Sequence, residues 1–296
     1  MTATGERGQP ESPPIELGHP RIHLRRIDST NEYARQLATA GAPHGTAVTA
    51  DEQSAGRGRQ GRSWLAPPRS ALLCSLVLRD PPPLLSLIAG MAVCDVVGDT
   101  ARVKWPNDIV LERSGAGEAP PTGAVSLRGA AAPLGAISPG GAIPPAKERH
   151  LPGADEEPAF LPKLAGILVE GRPQEGWAVL GVGLNVALRV EQLPPDVRRR
   201  AASLGLEPSA IEPTFERLLE ALVTRLGEPI EVTLDAWRAR DALYGRVVAW
   251  QAHEPQRRSE RGRAQGIDEQ GQLLVRHEDG TTTALSAGEV HLGSVG

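Results

Sequence analysis

Residues 55 to 64 read AGRGRQGRSW. Arg57, Arg59 and Arg62 alternate with Gly56, Gly58 and Gly61, and no large apolar side chain enters before Trp64. Arginine presents a planar fork of donors that suits phosphate and carboxylate oxygens. Glycine lets the backbone approach an anion closely and add its own N–H groups. On residue types alone, three readings stand side by side: a mobile clamp for a phosphate, a solvated arginine loop, and an RGG-like RNA-binding stretch. The last is weakened because the loop is short, single and set between core strands. Two further stretches carry chemistry. KWPNDIVL (104–111) gathers Lys104, Trp105, Asn107 and Asp108 around a proline, and KLAGILVEG (163–171) places Lys163 at the head of an apolar strand. A lysine ahead of small residues reaches over a sheet edge into a cleft, and it is also a common gatekeeper at a strand end. Trp105 reads as core. Trp64, beside the charged loop, is placed to stack on a flat ligand.

The elements that must hold these residues are legible around them. IDSTNEYARQLATAGAP reads as a helix, capped by Asp28, Ser29 or Thr30 and stopped at Gly41 and Pro43. GTAVTADEQ leads as a strand into the arginine loop, and SALLCSLVLR leaves it as another. LLSLIAGMAVCDVVGD has a helical apolar pattern, and RVKWPNDIVLE gives two short strands broken at Pro106. PKLAGILVEG and GWAVLGVGLNVAL are Val/Ile/Leu-rich strands, an antiparallel pair joined through RPQE. EPTFERLLEALVTRLGE and TLDAWRARDALYG read as helices. From Arg246 onward short strands alternate with turns at DEQG and EDG, the pattern of a small SH3-like barrel.

Length and composition bound the function. The chain has 296 residues, 40% hydrophobic, enough for one core and a smaller second domain. A formal charge of −4 argues against a general nucleic-acid coat. Cys74 and Cys94 both sit in apolar runs and read as core thiols in a reducing compartment. The N-terminus is polar and Pro-rich, unlike a signal peptide, and LLSLIAGMAV is too short to span a bilayer. These features point to a cytoplasmic protein. There is no P-loop, no G-x-S-x-G and no His or Cys pair at metal-ligand spacing, and GVGLNV lacks the third glycine of a dinucleotide fingerprint. A protein-built metal site is therefore not expected. Residues 1–20 read as a disordered tail. More than half of residues 113–160 are Gly, Pro or Ala without periodicity, which reads as a disordered insertion.

STNEYA, EQSAGRGRQGRSW, KWPNDI, KLAGILVE and GVGLNV, in this order, resemble the biotin–protein ligases. The resemblance is strong over roughly residues 22 to 190. Beyond 245 it is weaker, carried by GRVV, GIDEQGQLLV and GEVHL. It implies an α+β fold: a catalytic domain at 21–243, related to class II aminoacyl-tRNA synthetases with a mixed and antiparallel sheet, then an SH3-like β-barrel at 244–296. It also implies two steps. Biotin and MgATP give biotinyl-5′-AMP and pyrophosphate, and the adenylate then acylates one lysine of a biotin carboxyl carrier domain of a carboxylase.

The same resemblance assigns residues. Ser29, Thr30 and Asn31 match the biotin-contacting stretch, and Gln53 matches a residue at the biotin head group. Arg57, Gly58 and Arg59 match a loop that closes over biotin and the adenylate phosphate, with Arg62 beside it. Trp64 matches the position that packs on adenine, and Gly166 a small residue in the biotin pocket wall. Lys163 matches the lysine at the reacting carboxylate and α-phosphate. Asp108 and Asn185 match positions near the nucleotide and its Mg²⁺. Arg57, Arg59 and Lys163 are the expected catalytic residues. Their charges suit the chemistry, because carboxylate attack on a phosphate brings two anions together.

The chain departs from the pattern in two places. The insertion separates DIVLE from KLAGILVE, where a tight connection would suffice. Only about 20 residues precede the catalytic region, too few for the helix-turn-helix of bifunctional relatives, so no DNA-binding repressor activity and no nucleic-acid partner is expected. A monomer and a homodimer both remain compatible. The alternative enzyme is a lipoate or octanoate ligase or transferase of the related fold, against which the GRGRxGRxW loop argues.

Overall fold

A computed structural model describes residues 16–111, 161–251, 259–286, 288 and 290–292. The expected insertion at 113–160 and most of the expected tail lie outside the described residues. The end of that tail does not behave as one. Leu17 is buried and the Gly18 N–H donates to the Gly45 carbonyl at 2.8 Å, so structure begins a few residues before position 20.

Seven strands form one mixed sheet. They are β1 (Arg21–Leu24), β2 (Ala47–Ala50), β3 (Ala71–Arg79), β4 (Ala101–Lys104), β5 (Asp108–Leu111), β6 (Lys163–Arg172) and β7 (Trp177–Asn185), in the order β1-β2-β3-β7-β6-β5-β4. β1 and β2 run parallel, and every other neighbouring pair is antiparallel. The short, charged β1 is a strand that sequence pattern did not single out. Among the described residues it pairs only with β2, and its alternation of Ile22 and Leu24 with Arg21 and His23 lasts just four residues, too short to mark a strand.

Side chains alternate along these strands, and the two faces bury different partners. On one face Leu72, Leu76, Leu78, Ile167, Leu180, Val182 and Leu184 join the main core under helices α2 (Leu85–Val97), α4 (Ile211–Gly227) and α5 (Ile230–Ala239). α2 is apolar nearly all round because it lies between the sheet and the other two helices. The other face carries Val77, Trp177 and Val179, covered by Ala34 and Ala38 of α1 (Thr30–Thr39).

The C-terminal region is a five-stranded antiparallel sheet. Its strands are β8 (Val247–Gln251), β9 (Ser259–Ile267), β10 (Leu273–Arg276), β11 (Thr282–Leu285) and β12 (Val290–Leu292), in the order β11-β10-β9-β8-β12. The chain passes from one sheet to the other within a few residues: Ala242 N–H donates to Val103, and Gly245 N–H donates to Ala264. The two sheets also meet at Trp105, which is core as expected and whose Nε1–H donates to the Gly271 carbonyl at 3.0 Å.

Candidate active site

α1 covers only part of its sheet face, and the site lies where it stops. Ser29 is its N-cap, accepting from the Glu32 N–H, so the helix begins with Thr30 and Asn31 over the middle of the sheet. Beneath and beyond that point the face is made of glycine. Ser75 pairs with Gly181, Leu73 with Gly183 and Gly166 with Gly183. A Cβ on Gly181 would meet Asn31 Oδ1 at 2.1 Å, and one on Gly183 would meet the Trp64 ring at 2.7 Å. Glycines here let the helix N-terminus and a tryptophan ring sit directly on the backbone.

The result is a cavity of about 310 Å³. Ser29, Thr30, Asn31 and Gln53 line its polar end; Arg57, Gly58, Arg59, Arg62 and Trp64 come from the arginine loop; Asp108, Lys163, Gly166 and Asn185 come from the strands. Thus all thirteen sequence-selected residues line one cavity. Among the described residues, five cationic side chains, Arg57, Arg59, Arg62, Lys163 and Arg200, face it against one carboxylate, Asp108. Such a balance suits a polyanion.

Their contacts differ. Arg57 Nη1 lies 2.7 Å from Glu32 and 3.9 Å from Glu170, which ties the loop back to α1 and β6. Arg59 Nη1 donates to Asn107 Oδ1 at 3.3 Å, and the Asn107 amide donates in turn to the Ile167 carbonyl. Lys163 Nζ pairs with Asp108 Oδ1 at 2.6 Å and stands 5.4 Å from the Trp64 ring centre. Trp64 lies on Gly166 and Gly183, and its Nε1–H is buried with no partner among the described residues. Asn185 has a scaffolding bond: its amide donates to the Ala202 carbonyl at 2.8 Å. The Cys74 thiol turns away from the cavity into the main core with Leu72 and Leu76, where burial pushes it up to about 12, so it is no nucleophile at neutral pH.

Several lining residues escaped sequence reasoning. Gly181 and Gly183 had a usable signal, two glycines at i, i+2 inside a Val/Leu strand, which marks close approach on one face. Leu188, Leu193, Val197, Arg200 and Ala201 form a wall from the segment after β7, which includes a short helix, α3 (Pro195–Arg198). That wall is held by backbone bonds, Lys163 N–H to the Arg200 carbonyl and Ala202 N–H to the Lys163 carbonyl, which no side-chain pattern announces. Among the described residues there is no cluster of three metal-ligating side chains, and no helix is long and apolar enough to cross a membrane.

The chain resembles known proteins along most of its length. Residues 23–117 match the model of the biotin/lipoate A/B protein ligase family, and residues 256–293 match the biotin protein ligase C-terminal domain. The chain is 37% identical to a biotin–[acetyl-CoA-carboxylase] ligase of Paracoccus denitrificans, over 91% of this chain and 99% of that protein. It is 31% identical to the Mycobacterium tuberculosis protein of the same name, over 90% and 86%. The biotin protein ligase of Aquifex aeolicus, solved with biotin and ATP, superimposes with a TM-score of 0.65 at 20% identity, covering 93% of this chain and 99% of that one.

Proposed function

Since the chain belongs to the biotin protein ligase family, we infer that its cavity binds biotin and ATP, joins them as biotinyl-5′-AMP with release of pyrophosphate, and passes biotin to a lysine of a biotin carboxyl carrier domain. The observation that carries this reading is the polarity of the cavity. A neutral polar end at Thr30, Asn31 and Gln53 suits a ureido ring, and the cationic end suits the carboxylate and phosphates that must meet.

Adenylation needs two anions brought together and the charge on the transferring oxygens offset. Lys163, already aimed across the wall at Asp108, is the group for the reacting oxygens. Arg57 and Arg59 ride on the glycine-rich loop and can follow the phosphate as the loop closes. Closure also shields an acyl adenylate from water. Trp64 offers its ring to the adenine, and Asn185 anchors the wall against which the nucleotide lies. Mg²⁺ needs only one or two protein carboxylates when ATP brings it, and Asp108 is the carboxylate among the cavity-lining residues described, so it fits that role. The ion would neutralise phosphate charge. In the transfer step the carrier lysine attacks the acyl carbon and AMP leaves.

The test is calorimetry followed by transfer. Biotin should bind and lipoate should not. With ATP, purified carrier domain should gain one biotin at its acceptor lysine. Lipoate binding with lipoyl transfer would overturn the assignment in favour of the sister enzymes.

A further inference from the structure

The polar end of the cavity contains a hydrogen-bond relay whose direction is set by residues behind it. Asn31 is 4% exposed, and both halves of its amide are engaged. Its Nδ2 donates to Glu170 Oε2 at 2.9 Å, and its Oδ1 lies 2.8 Å from the Ser75 hydroxyl. A carboxylate only accepts, so Glu170 admits one orientation of that amide. An acceptor therefore faces Ser75, which gives Asn31 its single proton. The Ser75 oxygen, 2.9 Å from Thr30 Oγ1, is then left to accept. On the other side, Gln53 Oε1 is fixed by the Thr30 N–H at 2.7 Å and lies 3.0 Å from the Thr30 hydroxyl. The Thr30 proton thus has two protein acceptors, and toward the cavity Thr30 presents lone pairs.

We propose that Glu170 and Ser75 are positioning residues that hold Thr30 as a hydrogen-bond acceptor, so that the cavity selects a head group bringing an N–H to Thr30. This rests on the ligase reading, in which a cyclic urea supplies that N–H. Neither Glu170 nor Ser75 lines the cavity; both act through Asn31 and Thr30. Without the Glu170 acceptor, Asn31 is free to turn its amide. Ser75 can then donate to Thr30, and Thr30 can point its own proton at the ligand.

The test compares biotin with its cyclic carbonate analogue, in which oxygen replaces both ring N–H groups. Binding is measured by calorimetry without ATP. Wild-type protein should prefer biotin, since the carbonate sets an oxygen against the Thr30 lone pairs. Glu170→Leu removes the acceptor and should compress that preference at least about tenfold, because a site built for an N–H discriminates strongly only while its own polar groups are fixed. Glu170→Gln loses the same charge but keeps an acceptor oxygen, and should retain most of the preference. Ser75→Ala leaves the Thr30 proton to Gln53 Oε1, at 3.0 Å, and should lower the preference in the same direction as Glu170→Leu but by less, which keeps the test open should that variant misfold. A merely loosened site would weaken both ligands together. An unchanged preference ratio in the folded variants, or a Gln variant as indiscriminate as Leu, would overturn the proposal. Wild-type protein that binds neither ligand would instead overturn the ligase reading beneath it.

Discussion

Lys163 and Asp108 face each other at 2.6 Å across neighbouring strands. Asp108 opens β5 and pairs with Gly166 of β6, three residues from the lysine. The ion pair holds the ammonium at the cavity wall, and in the proposed reaction an incoming anion would compete with Asp108 for it. Lys163→Ala should therefore cut adenylation by about 10²–10³, the usual cost of one donor aimed at developing charge. Biotin binding without ATP should change little. Near-normal pyrophosphate exchange by this variant would reduce Lys163 to a strand-edge residue.

The loop arginines should affect retention as well as rate. Arg59 sits in a glycine-rich segment and donates a long hydrogen bond, 3.3 Å, to Asn107 Oδ1. Arg59→Gly should still form adenylate, slowly, through Lys163. A charge-assisted contact to phosphate is worth roughly 1.5–3 kcal/mol, and 1.4 kcal/mol is a factor of about ten. Escape of the adenylate should thus rise at least about tenfold. Incubation with biotin, ATP and serum albumin, probed with streptavidin, reads this as biotin on a bystander protein. Adenylate formation with no labelling above wild type would show that Arg59 does not gate release.

Arg57, Arg59 and Arg62 are trypsin sites on an exposed loop. Local opening there costs little, so cleavage of free protein should be fast. Biotin with ATP should slow it as the loop orders over the adenylate. Equal cleavage rates with and without ligands would contradict the clamp.

Gly183→Ala probes the floor. The new Cβ would stand 2.7 Å from the Trp64 ring, so the ring must lift while the strand itself tolerates alanine. The variant should melt close to wild type, and its affinity for ATP should fall by about tenfold if Trp64 lies against the adenine. Unchanged ATP affinity would remove Trp64 from the nucleotide site.

Much of this arrangement is legible in the sequence because local rules agree there. The α1 cap at Ser29, the break at Pro106 and the β6–β7 pair through RPQE follow from capping, proline and strand pattern, and they place the three motif stretches around one cleft. The thirteen site residues come from the family resemblance; residue chemistry alone reaches only an anion-binding loop and a lysine. What stayed hidden depends on tertiary backbone contact. β1 is recognisable only beside β2, and the wall from Leu188 to Ala201 only through its bonds to Lys163 and Asn185. Glu170 and Ser75 look like ordinary strand residues until β6, β3 and α1 converge on Asn31.

The central claim is that this cavity joins biotin to AMP. Purified protein incubated with ATP, Mg²⁺ and labelled pyrophosphate tests it most directly. The account predicts label entering ATP only when biotin is present, and loss of that exchange in Lys163→Ala. Exchange that does not depend on biotin, or none from folded wild-type protein that binds biotin, would contradict it.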